Sequence, residues 1–397
     1  NLPIHGYGRD TMPFLTKLAE RAVVYHNHYS GANFTTPGTA SLLTGTPPHV
    51  HRAFSGNSKV IKPLKKQNIF RTFRNEGYET IAYTHNTYAN TLLRQFSAHI
   101  STLIPSRQLF LDQSPLRQLL GQDLDTVILS KNQILLDTPA ASLILSKIYT
   151  LIHANRVDRL LKEYLELFPG GLPSIDGTEF YNLEKGIDYL SENMAGFKRP
   201  FFAYFHFLPP HGPYNTRREF YQTYQDAQPA VPAKPEHPLS EGFRLEEMRQ
   251  IRQDYDAYLL YVDSEFNRLY QSLSAQGVLD DTLLVLTSDH GEMFERGIVR
   301  HGKATLHEPV IRIPLMLFHP GFDQRIDVYQ RTTAMDVYPT LSALAGLPHP
   351  ESSTGKVMPP FGMQASNPDE AFIITHAEGT QRFQPLTFGS WTCLLYT

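Results

Sequence analysis

Short apolar segments that alternate with amphipathic stretches constrain the fold of this chain more than any other feature. Pro200–Leu208, Thr282–Thr287 and Ile313–Phe318 each have the length and composition of a buried β-strand. Between the first two lies Leu245–Ala275, where apolar residues recur at helical spacing. Because strands that alternate with helices are typical of a mostly parallel sheet covered by helices, the sequence predicts an α/β fold.

The first hundred residues show the same alternation. Gly45 is suited to end a helix, since it can adopt the left-handed conformation that C-terminal caps require. The predicted elements are, in order, the helix Thr11–Arg21, the strand Ala22–Tyr29, the helices Thr36–Thr44 and Ile69–Glu76, and the strand Tyr78–Tyr83.

Residues 101–198 depart from this pattern and predict a helical insertion. Four of its segments are helical by period: Val127–Leu136, Ser142–His153, Val157–Phe168 and Tyr181–Met194. The pattern of strands and helices continues to about residue 348, after which Pro, Gly and Ser precede a strand-like segment at Ala371–Thr375. We therefore predict one domain over residues 1–348, with 101–198 inserted in it, and the start of a smaller C-terminal subdomain over 349–397.

Composition excludes several classes of protein. The net charge of −3 lacks the basic character of a nucleic-acid-binding surface, so no nucleic-acid partner is expected. The single cysteine, Cys393, permits no disulfide within the chain. No apolar run reaches the roughly 18 residues of a membrane span. Because the pattern of strands and helices continues up to both Asn1 and Thr397, we expect a fragment of a longer protein. The sequence therefore makes no prediction of the cellular compartment.

A carboxylate and an imidazole follow one of the apolar strands. Asp289 and His290 come directly after Thr282–Thr287 and precede a glycine. In open α/β sheets, ligands gather at the C-terminal ends of strands, and this pair suits Zn, Mn or a similar divalent ion. The alternative is that Asp289 only caps the following element, and the dipeptide alone does not decide between the two.

Two further segments carry groups suited to an anionic ester. His301 and Lys303 lie one loop after the Asp-His pair, and His211 follows the strand Pro200–Leu208 on a Pro-rich turn. Beside a metal, such groups bind an anionic ester and stabilise charge on its leaving oxygen. The alternatives are a solvated surface lysine and an incidental histidine, in a chain that has 17 histidines.

A hydroxyl group stands at the start of the predicted helix Thr36–Thr44. At Thr35, backbone N–H groups and the helix dipole favour an anion. A metal on the same oxygen would make it a nucleophile. The alternative is that Thr35 or Thr36 is merely a helix N-cap.

In this order, the segments resemble the sulfatase family of the alkaline-phosphatase-like superfamily. The family signature has a nucleophile, a Pro two residues later and then Leu-Thr-Gly. The matching positions are Thr35, Pro37 and Leu43-Thr44-Gly45. His211 matches the Pro-His of the family's substrate pocket. Thr287–Glu292 resembles its late metal-binding strand end, and His301–Lys303 resembles the segment that supplies the pocket lysine. The resemblance implies an alkaline-phosphatase-like three-layer sandwich with a mostly parallel central sheet.

The sequence departs from the family at the nucleophile. Sulfatases convert a Cys or Ser to formylglycine, and this modification needs an Arg two residues after the Pro. Here Thr35 and Thr39 occupy those positions. A Thr nucleophile is typical of the superfamily's phosphodiesterases and of its phosphoethanolamine and phosphoglycerol transferases, so a phosphodiester is expected over a sulfate ester. The family's earliest acidic metal ligands are expected upstream of Asn1.

The resemblance implies a metal-dependent ester hydrolase that acts through a covalent intermediate on Thr35. Its divalent ion, Zn, Mn or Ca, would be held by Asp289, His290 and Thr35, while His301, Lys303 and His211 act on the ester. The expected substrate is an anionic ester, carried by a glycan or a lipid. Two alternatives stay open: a transferase of the phosphoethanolamine or phosphoglycerol type, and a non-catalytic sulfatase-like binding protein.

Overall fold

The computed structural model describes residues 1–111, 157–175, 179–225, 234–301 and 305–362, and the backbone of three strands beyond them. Its strands are β1 (Val23–Tyr25), β2 (His28–Tyr29), β3 (Glu79–Thr84), β4 (Thr102–Leu103), β5 (Ser174–Ile175), β6 (Glu179–Phe180), β7 (Phe201–His206), β8 (Leu284–Thr287), β9 (Met293–Glu295), β10 (Ile298–Arg300), β11 (Leu315–Phe318), β12 (Ile326–Val328), β13 (Thr332–Thr333), β14 (Phe372–His376), β15 (Phe383–Phe388) and β16 (Trp391–Tyr396). The α-helices are Pro13–Leu18, Thr35–Thr44, Pro48–His51, Lys62–Lys65, Ile69–Asn75, Thr87–Phe96, 157–164, Leu183–Asn193, Leu245–Ala275, Glu308–Ile311 and Ala334–Leu344.

Two sheets form the centre of the described structure. One has the strand order β12-β1-β11-β8 and the other β4-β3-β7. The second sheet is parallel throughout, whereas in the first only β1 and β12 are parallel. Three of these five pairings among the described strands are therefore parallel, and the predicted α/β fold with a mostly parallel sheet is confirmed.

Side chains of the first sheet alternate between two apolar cores. Val24 and Met316 pack on one face with Leu259 of the long helix. Val23 and Leu317 pack on the opposite face, against the helix Ala334–Leu344. Because neighbouring residues of a strand point to opposite faces, this alternation places helices on both sides of the sheet, as a three-layer sandwich requires.

Several predicted elements appear almost unchanged. The long helix Leu245–Ala275 has the predicted bounds. The helix predicted at Thr36–Thr44 begins one residue earlier, at Thr35, and ends at Thr44. Gly45 caps it, and its φ of 65° is left-handed. The strand predicted at Ala22–Tyr29 is instead two short strands, because β1 lies in the first sheet while β2 pairs with β13.

The predicted insertion is described only in part. Val127–Leu136 and Ser142–His153 lie outside the described residues, whereas 157–164 and Leu183–Asn193 are helical as expected. β4 lies within the same stretch and pairs in parallel with β3, so part of it extends the sheet. β14 coincides with the strand predicted at Ala371–Thr375 and pairs with β16. The domain boundaries themselves stay a prediction.

β7 and β8 differ from the expectation of buried strands. Both lie at an edge of their sheets, and every residue in both is only partly buried. They line a common cavity of about 1280 Å³, whose walls are predominantly apolar. The sequence pattern was therefore correct about the strands and wrong about their burial.

Among the described helices, none is long and apolar enough to span a bilayer.

A buried carboxylate ties the first residues to the long helix. Asp256 is fully buried and accepts hydrogen bonds from the Asn1 side-chain amide at 2.7 Å and the Tyr7 hydroxyl at 2.5 Å. Arg9, which is also buried, forms an ion pair with it at 2.8 Å. Charged groups this deep are stable only when they are paired.

We expect Asp256→Asn to lower the free energy of unfolding by about 1–3 kcal/mol, since it removes the buried charge that pairs with Arg9 and replaces an acceptor oxygen by an amide nitrogen. Denaturant unfolding followed by circular dichroism measures the loss. Glu246→Gln is the matched control, because Glu246 lies on the same helix in an exposed pair with Arg249. That control should cost less than about 1 kcal/mol, and an equal loss in both variants would contradict the role of the buried pair.

Candidate active site

Side chains that follow two different strands meet at the N-terminus of one helix. Asp289 and His290 follow β8, and Asn86 follows β3 by two residues. Thr35 begins the helix Thr35–Thr44. Loops at strand ends are where α/β proteins place ligands, so this cluster lies where the fold favours a site.

Thr35 is buried, and its hydroxyl has two polar neighbours. Its Oγ1 lies 3.3 Å from His290 Nε2 and accepts a hydrogen bond from Asn86 Nδ2 at 3.3 Å. Asn86 is fixed because its Oδ1 caps the helix Thr87–Phe96, accepting from the backbone N–H groups of Tyr88 and Ala89. The Thr35 oxygen is therefore held in one position at a helix N-terminus, where negative charge is stabilised.

The Asp289 side chain presents an oxygen without a hydrogen-bond donor. Its Oδ1 accepts from the His290 backbone N–H at 3.0 Å, whereas its Oδ2 is buried and has no hydrogen-bond partner among the described residues. The nearest Nε2 atoms, of His206 and His290, are each 3.7 Å from Oδ2. Burial raises the pKa of Asp289, but His290, His206, His301 and the Thr35 hydroxyl together lower it below its usual value. An ionised, unpartnered carboxylate oxygen fits a cation.

A second group of side chains lies against His290. The rings of His290 and His301 have centroids 3.9 Å apart, and the His211 ring is 5.0 Å from that of His301. Glu292 Oε1 lies 2.8 Å from His301 Nδ1, and its Oε2 accepts from the Tyr214 hydroxyl at 3.1 Å. His211 and Glu292 thus line the same cavity as Thr35, and His301 packs against them.

Burial keeps the site histidines neutral. It lowers the pKa of His290 and of His211, and it lowers the pKa of His301 to about 4 although Asp289 acts in the opposite direction. Neutral imidazole has a free lone pair on one ring nitrogen, which a metal or a proton can use. At neutral pH these rings are therefore available as ligands and hydrogen-bond acceptors.

The structure brings together five of the six residues singled out in the sequence: Thr35, Asp289, His290, His211 and His301. Lys303 lies outside the described residues. Sequence reasoning missed the roles of Asn86, His206 and Glu292. Asn86 and His206 stand at or just after strand ends, and this position in the sequence could have identified them. Glu292 is separated from His301 by eight residues and meets it only because β9 and β10 form a hairpin.

This combination of an α/β sandwich with a hydroxyl, a carboxylate and imidazoles at its strand ends defines an alkaline-phosphatase-like protein. The sequence profile of the sulfatase family matches residues 1–347. The chain therefore belongs to the sulfatase family, and the expectation of a family of ester hydrolases is confirmed.

Individual relatives support the same assignment. Choline-sulfatase of Rhizobium meliloti is 25% identical over 360 residues, which cover 84% of this chain and 63% of the relative. Arylsulfatase K of Rattus norvegicus is 28% identical over 137 residues, 34% of this chain and 24% of the relative. The chain thus spans less than two thirds of the length of either. The crystal structure of phosphonate monoester hydrolase of Agrobacterium radiobacter has a TM-score of 0.63 at 19% identity, covering 98% of this chain and 77% of that one.

Close backbone contact sets the distance between Thr35 and the Asp289 loop. Gly38 lies in the first turns of the helix Thr35–Thr44, and a Cβ atom there would be 2.4 Å from the Asp289 carbonyl oxygen. The Ser30 hydroxyl donates to the same carbonyl oxygen. The contact is between backbones, so no side chain can move away to make room.

We expect Gly38→Ala to destabilise the protein by about 1–3 kcal/mol, because overpacking outweighs the roughly 1 kcal/mol that alanine gains over glycine in a helix. Thermal unfolding measures this loss, and a crystal structure of the variant should show Thr35 displaced from His290. Gly8→Ala is the control, since Gly8 is exposed and a Cβ there meets nothing within 4 Å. A variant at Gly38 as stable as the wild type would show that this contact does not constrain the site.

Proposed function

We propose that this protein is a metal-dependent hydrolase of phosphate or sulfate esters that acts through a covalent intermediate on Thr35, with phosphodiesters preferred. The observation that carries the proposal is the position of the Thr35 hydroxyl. It is buried at a helix N-terminus, in contact with His290 and beside the unpartnered oxygen of Asp289. A hydroxyl that only capped the helix would need neither neighbour.

Asp289, His290 and Thr35 would hold the divalent ion. The donor set of carboxylate, imidazole and hydroxyl suits Zn, Mn or Ca, and the neutral state of His290 leaves a lone pair for coordination. When bound, such an ion supplies charge stabilisation and lowers the pKa of a coordinated hydroxyl.

The chain's own residues account for the remaining chemistry. Asn86 orients Thr35, whose Oγ1 would form a bond to phosphorus as the bond to the leaving oxygen breaks, and the Oγ1 proton would end on that leaving oxygen. His211 lines the cavity and His301 lies beside it, and both would bind the ester oxygens together with Lys303. Water then releases the phosphoryl group from Thr35. Dividing the reaction into two displacements lowers the barrier of each.

The choice of phosphodiester over sulfate ester rests on residues 35 and 39. The formylglycine of sulfatases is made from Cys or Ser beside an Arg, and Thr35 and Thr39 replace both. A relative named as a choline-sulfatase and a solved structure of the same fold named as a phosphonate monoester hydrolase support an ester of either sulfur or phosphorus. The substrate proposed is therefore an anionic ester, on a glycan or a lipid, whose central atom is phosphorus.

Further acidic ligands are proposed to come from a segment that precedes Asn1. The cavity between β7 and β8 supports this, because both strands present an edge without a strand partner among the described residues. An apolar strand placed there would join the two sheets and direct its last residues toward Asp289. In the same proposal, residues 349–397 begin a smaller C-terminal subdomain, to which the sheet β14-β16-β15 would belong.

For the nucleophile, we expect Thr35→Ala to lower kcat by several orders of magnitude while the melting temperature changes little. The protein extended through the upstream segment and loaded with Zn, Mn or Ca would be assayed with a 4-nitrophenyl phosphodiester. Thr35→Ser should keep part of the activity, because it keeps the hydroxyl. Thr36→Ala is the matched control, since Thr36 donates instead to the Gly56 carbonyl. An active Thr35→Ala enzyme would exclude this nucleophile.

For the substrate, we expect the same protein to cleave a 4-nitrophenyl phosphodiester with a higher kcat/KM than the phosphate monoester or the sulfate ester. The physical reason is the unmodified Thr35 hydroxyl in place of formylglycine. Parallel assays of the three esters on wild type and Thr35→Ala measure the preference. Dominant sulfate turnover would contradict the preference while leaving ester hydrolysis intact.

For the metal, we expect chelation to abolish activity and a divalent ion to restore it. Asp289→Asn should prevent the restoration, because the neutral amide binds a hard cation far more weakly than a carboxylate does. Activity measured before and after dialysis against a chelator is the test. Full activity after removal of all bound metal would contradict the proposal.

A further inference from the structure

Arg300 brings an exposed positive charge to the edge of the candidate site. It is the last residue of β10, directly before His301, and its side chain is exposed. A Cβ atom built on Gly212, the residue after His211, would lie 3.6 Å from Arg300 Nε. The Arg300 side chain therefore reaches from the β9–β10 hairpin to the turn that carries His211, and His211 lines the cavity.

The backbone of Arg300 is in a conformation that few residues other than glycine adopt. Its φ of 75° is left-handed. Met293, its partner across the hairpin, and Ile298, two residues earlier in β10, are both buried in one apolar core. Because alternate residues of a strand share a face, a regular strand would direct Arg300 toward this core. The left-handed conformation instead leaves the side chain in solvent, and such strained positions cluster at functional sites.

The guanidinium group of Arg300 has no hydrogen bond or ion pair with the residues that the structure describes. Arg296, on the same hairpin, is different. Its Nε lies 3.6 Å from a carboxylate oxygen of Glu295, and its Nη1 donates to the Pro235 carbonyl oxygen at 3.3 Å. The N–H donors of Arg300 are thus available to a group from outside the described part of the chain.

The charge of Arg300 acts on the candidate site. Burial is the main cause that lowers the pKa of His301, and Arg300 lowers it further. Burial raises the pKa of Glu292, and Arg300 is one of the groups that act in the opposite direction. A fixed positive charge therefore lies beside imidazoles that are themselves neutral. The planar fork of a guanidinium group is suited to bind an oxyanion through two parallel hydrogen bonds.

We propose that Arg300 is a specificity-determining residue that binds a second oxyanion of the substrate, a carboxylate or sulfate on the same molecule as the reacting ester. The reacting ester would lie at Thr35, which is buried, whereas Arg300 is exposed on the outer side of His211 and His301. Arg300 would therefore contact a neighbouring group of the substrate. This inference deepens the proposed function, and it rests on that function for the position of the reacting ester.

The test compares esters that differ only in the charge of one distant group. The protein extended through the upstream segment and loaded with metal is assayed with 4-nitrophenyl alkyl phosphodiesters, whose alkyl chains of increasing length end in a hydroxyl, a carboxylate or a sulfate. At a matching length, we expect the charged end to raise kcat/KM about 10-fold over the hydroxyl end, mainly through KM. Arg300→Gln should abolish this preference. Arg300→Lys should keep part of it, because it keeps the charge and loses the fork.

Two further variants separate binding from structure. Arg296→Gln removes the same charge from the same hairpin, at a residue whose φ of 59° is also left-handed, and it should keep the preference. Arg300→Gly relieves the left-handed conformation, so its melting temperature should equal or exceed that of the wild type while the preference is lost. An arginine with only a structural role would lower the melting temperature when it is removed.

Three results would overturn the role of Arg300. They are equal kcat/KM values for charged and uncharged ends at every length, a preference that persists in Arg300→Gln, and an equal loss of preference in Arg296→Gln.

The two proposals fail separately. If Thr35-dependent cleavage is found without a preference for charged ends, the proposed function stands and the role of Arg300 falls. If no ester is cleaved, calorimetric titration of the same esters still tests Arg300. Tighter binding of the charged ends that is lost in Arg300→Gln would then support Arg300 while the proposed function falls.

Discussion

The contact between the first turns of one helix and the loop after β8 determines the rest of the site. Thr35 meets His290 only because the helix backbone at Gly38 lies directly against the Asp289 carbonyl oxygen. The two segments are about 250 residues apart in the chain, yet they form one surface of polar atoms. The packing of the helix Thr35–Thr44 maintains this contact, since all its residues are buried. The packing of the core therefore also fixes the distance between Thr35 and His290, because a dense interior transmits a displacement of one backbone segment to its neighbour.

Local patterns in the sequence predicted the elements well because those elements depend on local physics. The helix Leu245–Ala275 follows from apolar spacing, and the end of the helix at Gly45 follows from the left-handed conformation that glycine adopts without strain. Thr35, Asp289, His290, His211 and His301 were found because they stand at such boundaries. His206 ends β7 and Asn86 follows β3, so they occupy equivalent boundaries, but neither residue matches a position of the sulfatase signature segments.

What the sequence could not predict depends on how distant elements meet. β7 and β8 have the composition of buried strands and are nevertheless half-buried, because a cavity of about 1280 Å³ lies between them. The contact of Glu292 with His301 likewise requires the hairpin of β9 and β10. Periodicity reports which face of an element is apolar, but it does not report which element covers that face.

Burial then decides what chemistry the site can perform. The histidines around Thr35 have lowered pKa values, so at neutral pH they bring lone pairs rather than positive charge into the pocket. In the proposed mechanism the anionic ester needs positive charge that neutral rings do not bring, and this charge would come from the bound ion and from Lys303. The buried Asp289 carboxylate, whose pKa is lowered, would supply the negative charge that attracts the ion. A buried carboxylate beside neutral imidazoles therefore fits the proposed order, in which a cation binds first and an anionic ester second, with the Thr35 hydroxyl between them.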